Sequence, residues 1–258
     1  MLLALEWQRL ARSGVTLPFR DVEFRNTSQN GEDGILLYLF TLAGHGGRRA
    51  VEMCAGDAIE NNSSNLVLHH DWDALMLDGD DNLLARGRAL YASHPETFRL
   101  GPTIATEWIT SANVNELLQR HGYANDIDLL SVDMDGIDYW VLSAITQTPR
   151  VLVVEYNNRI PADRAISVPN EDAFVATGGA FSGDGFFGAS LAAFDKLLTG
   201  RGYRLVGANR QNTNAFFLRH DVLPEMPATT VQSCLASRWA RHQSQQWPQL
   251  ADRPWVEV

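Results

Sequence analysis

The sequence predicts an α/β fold: a three-layer sandwich whose seven-stranded, mostly parallel sheet ends in an antiparallel hairpin. Three observations predict it. Short runs rich in Val, Ile and Leu alternate with helix-patterned segments, as right-handed strand–helix–strand crossovers require. Runs such as Val151-Leu152-Val153-Val154 are apolar without a break, which suits strands covered on both faces. The last two runs are joined only by the polar turn Asn209 to Asn214, which is hairpin spacing.

In chain order the strands are read at Arg49 to Cys54, Ala74 to Leu77, Ala105 to Ile109, Ile127 to Val132, Val151 to Glu155, Tyr203 to Ala208 and Ala215 to Arg219. Helices are read at Ile35 to Leu42 and Asn61 to His70. A third runs from Val114 to His121, with Asn113 as its N-cap and Gly122 as its stop. Tyr139 to Thr146 ends before Pro149, and Ala189 to Thr199 lies between Gly188 and Gly200. No repeat or Pro/Gly-rich linker interrupts this order. Residues 1–258 therefore read as one domain, with a core over about 25–220, a helical lead over 1–24 and a C-terminal extension over 221–258.

Composition narrows the function. The chain is 45% apolar and 20% charged, a globular balance that excludes disordered, collagen-like and coiled-coil chains. A net charge of −10 repels polyphosphate backbones, so nucleic acid is not an expected partner. Two cysteines, Cys54 and Cys234, make no disulfide framework and fit a reducing, cytoplasmic setting. No apolar run reaches the ~20 residues that span a bilayer. No G-x-S-x-G, P-loop or zinc spacing is present, which removes serine hydrolases, P-loop kinases and zinc sites.

In an open α/β sheet, ligands bind beyond the carboxyl ends of the strands. After the first strand comes Glu52-Met53-Cys54-Ala55-Gly56-Asp57, then Asn61-Asn62. Gly56 allows a tight turn, but Cys54 and Ala58 stand where a G-x-G-x-x-G loop needs glycine. Glu52 and Asp57 would repel a pyrophosphate, so a cationic ligand suits this end better. Asp78-Gly79 ends the second strand, 22 residues after Gly56, close to the ~20 expected of a carboxylate that accepts ribose hydroxyls. Asn113, after the third strand, caps a helix or lies beside an adenine.

The fourth strand ends in Asp133-Met134-Asp135-Gly136. Two carboxylates this close raise each other's pKa unless a cation or proton lies between them. They suit a general base, a metal pair or a clamp on a cationic group. Asp138 follows, placed to complement a helix dipole. Glu155 ends the fifth strand at the same edge, followed by Tyr156-Asn157. With Asp133 and Asp135 it forms either a Mg²⁺-type oxygen site or a water-bridged cluster. Glu32 and Asp33, in the dense polar segment Ser28 to Gly34, join Tyr156 and Asn157 as candidate substrate contacts. The glycine-rich, aromatic stretch Ala180 to Gly188 reads as a substrate lid or as a loop anchored by Phe186 and Phe187.

With these residues in place, the chain resembles the FkbM-type branch of S-adenosylmethionine-dependent methyltransferases. The resemblance rests on Ser28-Gln29-Asn30-Gly31-Glu32-Asp33-Gly34, Val51-Glu52 with Ala55-Gly56-Asp57, Glu60-Asn61-Asn62, Leu77-Asp78-Gly79, Ser131-Val132-Asp133-Met134-Asp135-Gly136 and Val154-Glu155-Tyr156-Asn157, in this order over residues 25–220. It implies a class I, Rossmann-like fold and methyl transfer, usually to oxygen on sugars or natural products. The cofactor it implies, S-adenosylmethionine, carries both an ammonium and a sulfonium. It would be bound by Glu52, Gly56 and Asp78, with Asp57, Asn61, Gly79 and Asn113 completing the set. Asp133 and Asp135 would face a small polar acceptor such as a sugar, nucleotide-sugar or glycan end. Related sugar methyltransferases use Mg²⁺ at a comparable strand edge, which keeps a metal on Asp133, Asp135 and Glu155 in view. Two departures stand out: Cys54-Ala55 replaces a glycine-rich turn, and Asp135 stands where the family often has Glu. The first favours an alternative, a nucleotide- or glycan-binding module without turnover. A homodimer is compatible with either reading.

Overall fold

The computed structural model describes residues 2–176 and 183–258. Its strands are β1 (Arg49–Met53), β2 (Asp73–Asp78), β3 (Thr103–Thr106), β4 (Leu129–Val132), β5 (Val151–Glu155), β6 (Ile166–Ser167), β7 (Tyr203–Ala208), β8 (Asn214–Arg219) and β9 (Val256–Glu257). Its helices are α1 (Leu2–Arg12), α2 (Glu32–Ala43), α3 (Ser64–His70), α4 (Asp81–Ser93), α5 (Val114–Arg120), α6 (Asp138–Ala144), α7 (Leu191–Thr199), α8 (Val231–Cys234), α9 (Arg238–Ser244) and α10 (Trp247–Leu250).

Seven strands form one sheet in the order β3-β2-β1-β4-β5-β8-β7. The pairs from β3 to β5 are parallel, while β8 runs antiparallel to both β5 and β7. This is the class I methyltransferase strand order. Alternation along the strands divides the interior into two cores. Val51, Met53 and Leu130 face α5, α6 and α7, whose inner residues include Leu117, Val141 and Phe194. Ala50, Met76 and Val153 face the other way, onto Trp7 of α1, Ile35 and Leu39 of α2, Leu66 of α3 and Leu84 of α4. Both faces of the sheet are therefore covered, which accounts for the unbroken apolarity of β5.

The structure departs from the sequence reading in three places. β3 ends at Thr106, not at Ile109. It is an edge strand with intermediate to exposed residues, and its last link is Glu107 N donating to Asp78 O at 2.8 Å. α4 was not anticipated, because its buried stripe is only Leu84, Gly87 and Tyr91. Gly87 is required there by close approach: a Cβ would lie 2.6 Å from Ala58 Cβ and 2.7 Å from Asp57 O. The C-terminal extension contributes three short helices and β9, which pairs antiparallel with β6. No helix among the described residues is long and apolar enough to cross a membrane.

Candidate functional site

The carboxyl ends of β1, β2 and β4 open into a cavity of about 840 Å³, within the usual range for small-molecule sites. Seven of the sequence-predicted residues line it: Glu52, Gly56, Asn61, Asp78, Gly79, Asp133 and Asp135. Trp108, Phe174 and Asn214 also line it and carried no signal in the sequence, since they come from segments far apart in the chain.

One half of the cavity is built around Asp78. Its Oδ2 accepts from Gly56 N and its Oδ1 from Asp80 N, both at 2.8 Å, so one carboxylate ties the β1 and β2 loops together. Each carboxylate oxygen has more than one acceptor position, so Asp78 can still take ligand hydroxyls. The turn after β1 forms without the glycine pattern because Cys54 and Ala58, with φ of 59° and 58°, adopt left-handed backbone alongside Gly56 at 58°. Gly79 lies under the Trp108 indole, where a Cβ would be only 2.9 Å from the ring. Trp108 is itself fixed by Nε1 donating to Asp172 O at 2.8 Å, and it presents a flat apolar wall beside Ile109 and Leu83.

Two predicted cofactor residues do not line the cavity. Asp57 accepts from Ile59 N and Glu60 N and pairs with Arg86 at 3.1 Å. Asn113 occupies the cap position of α5, but its side chain makes no cap bond to the first turn. It accepts from Thr110 N and donates to Trp108 O, each at 2.8 Å, so it holds the Trp108 segment in place.

The other half is acidic. Asp138, fully buried, accepts from Met134 N at 2.7 Å and Gly136 N at 3.0 Å, which fixes the Asp133–Gly136 loop and lets Asp135 adopt φ 50°. Burial pushes Asp138 up to about 6 against those two bonds. Glu52 is 2% exposed and its Oε2 has no hydrogen-bond partner among the described residues. Burial pushes it up to about 7. Asp133 rises to about 8, first from desolvation and then from the Asp138 charge. Glu155 is held well above the carboxylate range by burial and by Asp133. Asp133 and Glu155 are electrostatically coupled neighbours, and burial favours the protonated form of each.

These shifts set a pH dependence. An acid whose folded pKa lies above its unfolded value stabilises the fold at low pH and loses that contribution as pH rises through the folded pKa. Between pH 6.5 and 8.5 this applies to Glu52, Asp133 and Glu155, whereas His70, lowered by burial, acts in the opposite sense only below the ordinary imidazole value of about 6.5. The expected result is a melting temperature that falls from pH 6.5 to 8.5 in differential scanning fluorimetry, and falls less in Glu52→Gln. A rising profile would contradict it.

The predicted substrate residues are placed elsewhere. Asp33 accepts from Asn26 N, Thr27 N and Ser28 N at 2.7 to 2.8 Å, and also from the Ser28 hydroxyl. Glu32, fully buried, accepts from Asn30 N, Asn209 Nδ2 and Asn214 Nδ2. Both therefore organise the Ser28–Gly34 segment, and only its Gln29 reaches the cavity wall. Asn157 donates to Gly185 O and Phe187 O at 2.9 and 3.0 Å. That latch and the buried rings of Phe186 and Phe187 make the described part of the glycine-rich stretch an anchored loop. Ala180, Phe181 and Ser182 lie outside the described residues. Tyr156 is 1% exposed and, with Glu155, borders a second pocket of about 260 Å³. Among the described residues no three Asp, Glu, His or Cys side chains are arranged to hold a metal ion. Asp133, Asp135 and Glu155 thus do not form the Mg²⁺ site kept in view from the sequence.

No family model and no curated protein matches the chain. Among solved structures it is similar to the N-terminal domain of EvdMO1 with SAH bound, at 11% identity over 84% of this chain and 95% of that one, with a TM-score of 0.47. It is similar to the glycopeptide N-methyltransferase MtfA complexed with S-adenosyl-L-methionine, at 12% identity over 72% and 92%, with a TM-score of 0.43. It is also similar to monomeric WbdD, at 12% identity over 70% of this chain and 38% of that one, with a TM-score of 0.40.

Proposed function

We propose that the protein is an S-adenosylmethionine-dependent methyltransferase that O-methylates a small polar acceptor. The observation that carries this reading is the composition of one cavity. A strand-end carboxylate placed for ribose hydroxyls, Asp78, shares it with the unpartnered buried carboxylate oxygen of Glu52 and the acids of the Asp133 loop. A nucleoside bearing positive charge satisfies both halves, whereas a dinucleotide pyrophosphate would meet carboxylates where it needs N–H donors. S-adenosylmethionine, when bound, supplies the electrophilic methyl group.

The residues of this chain then act as follows. Asp78 accepts the ribose hydroxyls, with Gly56 and Gly79 giving the backbone close approach. Trp108, Ile109 and Leu83 cover an aromatic base. Glu52 and Asn61 receive the cationic end. Asp133, with Glu155 as its charge-coupled neighbour, takes the acceptor hydroxyl proton as the oxygen attacks, and the cavity walls align the reactants. An acidic cavity favours the cationic donor over its neutral product, which helps product leave. Cys54 in left-handed backbone lets the turn after β1 form without the glycine pattern, which supports cofactor binding at this end.

The test is calorimetric titration with S-adenosylmethionine and S-adenosylhomocysteine. Micromolar binding is expected, weaker by about 10- to 100-fold in Asp78→Ala, the equivalent of losing hydrogen bonds to a charged acceptor. No binding to the wild-type protein would overturn the proposal.

A further inference from the structure

Glu155 borders the second, 260 Å³ pocket, and its charge-coupled neighbour Asp133 lines the large cavity. The acid pair therefore stands between two spaces. Only the larger one has the features of a nucleoside site. The smaller is walled by Asn158 and Arg159 after β5 and by Trp239, Gln243 and Gln246 of the C-terminal extension. Arg159 is 7% exposed, and its Nε donates to Gln246 Oε1 at 2.9 Å, which joins the two walls. Amide side chains both donate and accept, and an indole offers a flat apolar face. That combination suits a hydroxyl-bearing ring.

Trp239 is 41% exposed and also borders an outer pocket of about 630 Å³ together with Arg210, Gln211, Ser237, Arg238 and His242. Among the described residues no carboxylate lies within ion-pair distance of the Arg210 or Arg238 guanidinium, although Glu23 accepts from Arg210 N at 2.6 Å and partly offsets its charge. Most other arginines of this acidic chain have such a partner or donate to backbone carbonyls, so two arginines around one pocket mark a local cationic mouth.

We propose that the methyl acceptor binds in this second pocket, with its ring against Trp239, its reacting hydroxyl directed past Glu155 to Asp133 and an anionic group reaching Arg210 and Arg238 in the adjoining outer pocket. The acceptor is thus an anionic, hydroxyl-rich compound: a sugar phosphate or a uronate. This inference rests on the methyltransferase reading for its role, and on the pocket for its chemistry.

The experiment measures binding of glucose, glucose 1-phosphate and glucuronate by saturation-transfer NMR and tryptophan fluorescence, with S-adenosylhomocysteine titrated in parallel. One or both anionic sugars are expected to bind about tenfold more tightly than glucose, as charge-assisted hydrogen bonds give. Preference for the phosphate or the carboxylate identifies which anion the mouth takes. In Arg210→Gln/Arg238→Gln the preference disappears, in Trp239→Ala all three sugars weaken, and S-adenosylhomocysteine binding is unchanged in both. Equal binding of neutral and anionic sugars, or a preference that survives the double variant, overturns the inference. Cofactor binding without saccharide binding overturns it too, and leaves methyl transfer standing. Saccharide binding without cofactor binding overturns the methyltransferase reading, and the acceptor assignment with it.

Discussion

Replacing Asp133 with asparagine is expected to lower methyl transfer by about 10²- to 10⁴-fold, the range contributed by a positioned general base. Binding of S-adenosylhomocysteine should be unchanged. Asparagine keeps the shape of the side chain, but it cannot take a proton. The wild-type pH profile carries a second signature. Asp133 is pushed up to about 8 by burial and the Asp138 charge, and only its unprotonated form is a base. The rate should therefore climb through neutrality and level off above about pH 8, and the residual rate of Asp133→Asn should lack that rise. Release of S-adenosylhomocysteine, followed chromatographically across pH, measures both. Full activity in the variant would move the base elsewhere, with Glu155 and Asp135 next in reach of the same edge.

Replacing Gly34 with alanine should destabilise the fold more than any other single-methyl addition. Gly34 lies in the first turn of α2, and its N–H donates to Phe24 O at 3.1 Å. An added Cβ would stand 2.1 Å from Val22 O and 2.4 Å from Phe24 N. These are backbone atoms, and Phe19 and Val22 are buried just before them, so the segment cannot swing away. Overpacking costs about 1–3 kcal/mol in ordinary cores and more where nothing yields. About 3 kcal/mol or more is expected here, lowering Tm by roughly 6–12 °C. Gly44→Ala is the control. Gly44, with φ 65° and ψ −174°, has nothing within 4 Å of an added Cβ, so only the strain of this glycine-favouring backbone applies, about 1–3 kcal/mol. Calorimetric melting of the two variants separates collision from conformational strain, and equal shifts would refute the packing argument.

The strands were legible because burial on both faces leaves an unbroken apolar run, and β7 spans the predicted Tyr203 to Ala208 without change. The end of β3 was not, since an edge strand has one neighbour and its last residues leave the sheet without any change in composition. α4 escaped because a helix that meets the protein through a glycine shows almost no apolar stripe. In the site, topology alone brings strand-end residues such as Asp78 and Asp133 to the large cavity, but not Glu155, Tyr156 or Asn157 at the end of β5. Polar density proved a poorer guide: Ser28 to Gly34 resembles a binding loop, yet Asp33 uses its carboxylate to gather the backbone of residues 26–28. Trp108 and Phe174 meet only in three dimensions, and no local pattern marks them. The rim built by Trp239 depends on how the extension folds back, which no periodicity encodes.

The position of β8 between β5 and β7 has a consequence for biosynthesis. Strands β1 to β5 can pair as soon as they leave the ribosome, but the outer edge of β5, Val-Leu-Val-Val-Glu, has no neighbour until residues 214–219 emerge. β7 cannot substitute, because it reaches the sheet only through β8. During the interval in which about sixty residues are added, the nascent chain exposes an apolar strand edge of the kind that recruits other chains. Yield in a heterologous host should therefore depend on translation speed and chaperone supply over this stretch. Chains truncated before residue 214 should aggregate even though every element around the large cavity except Asn214 has already been made.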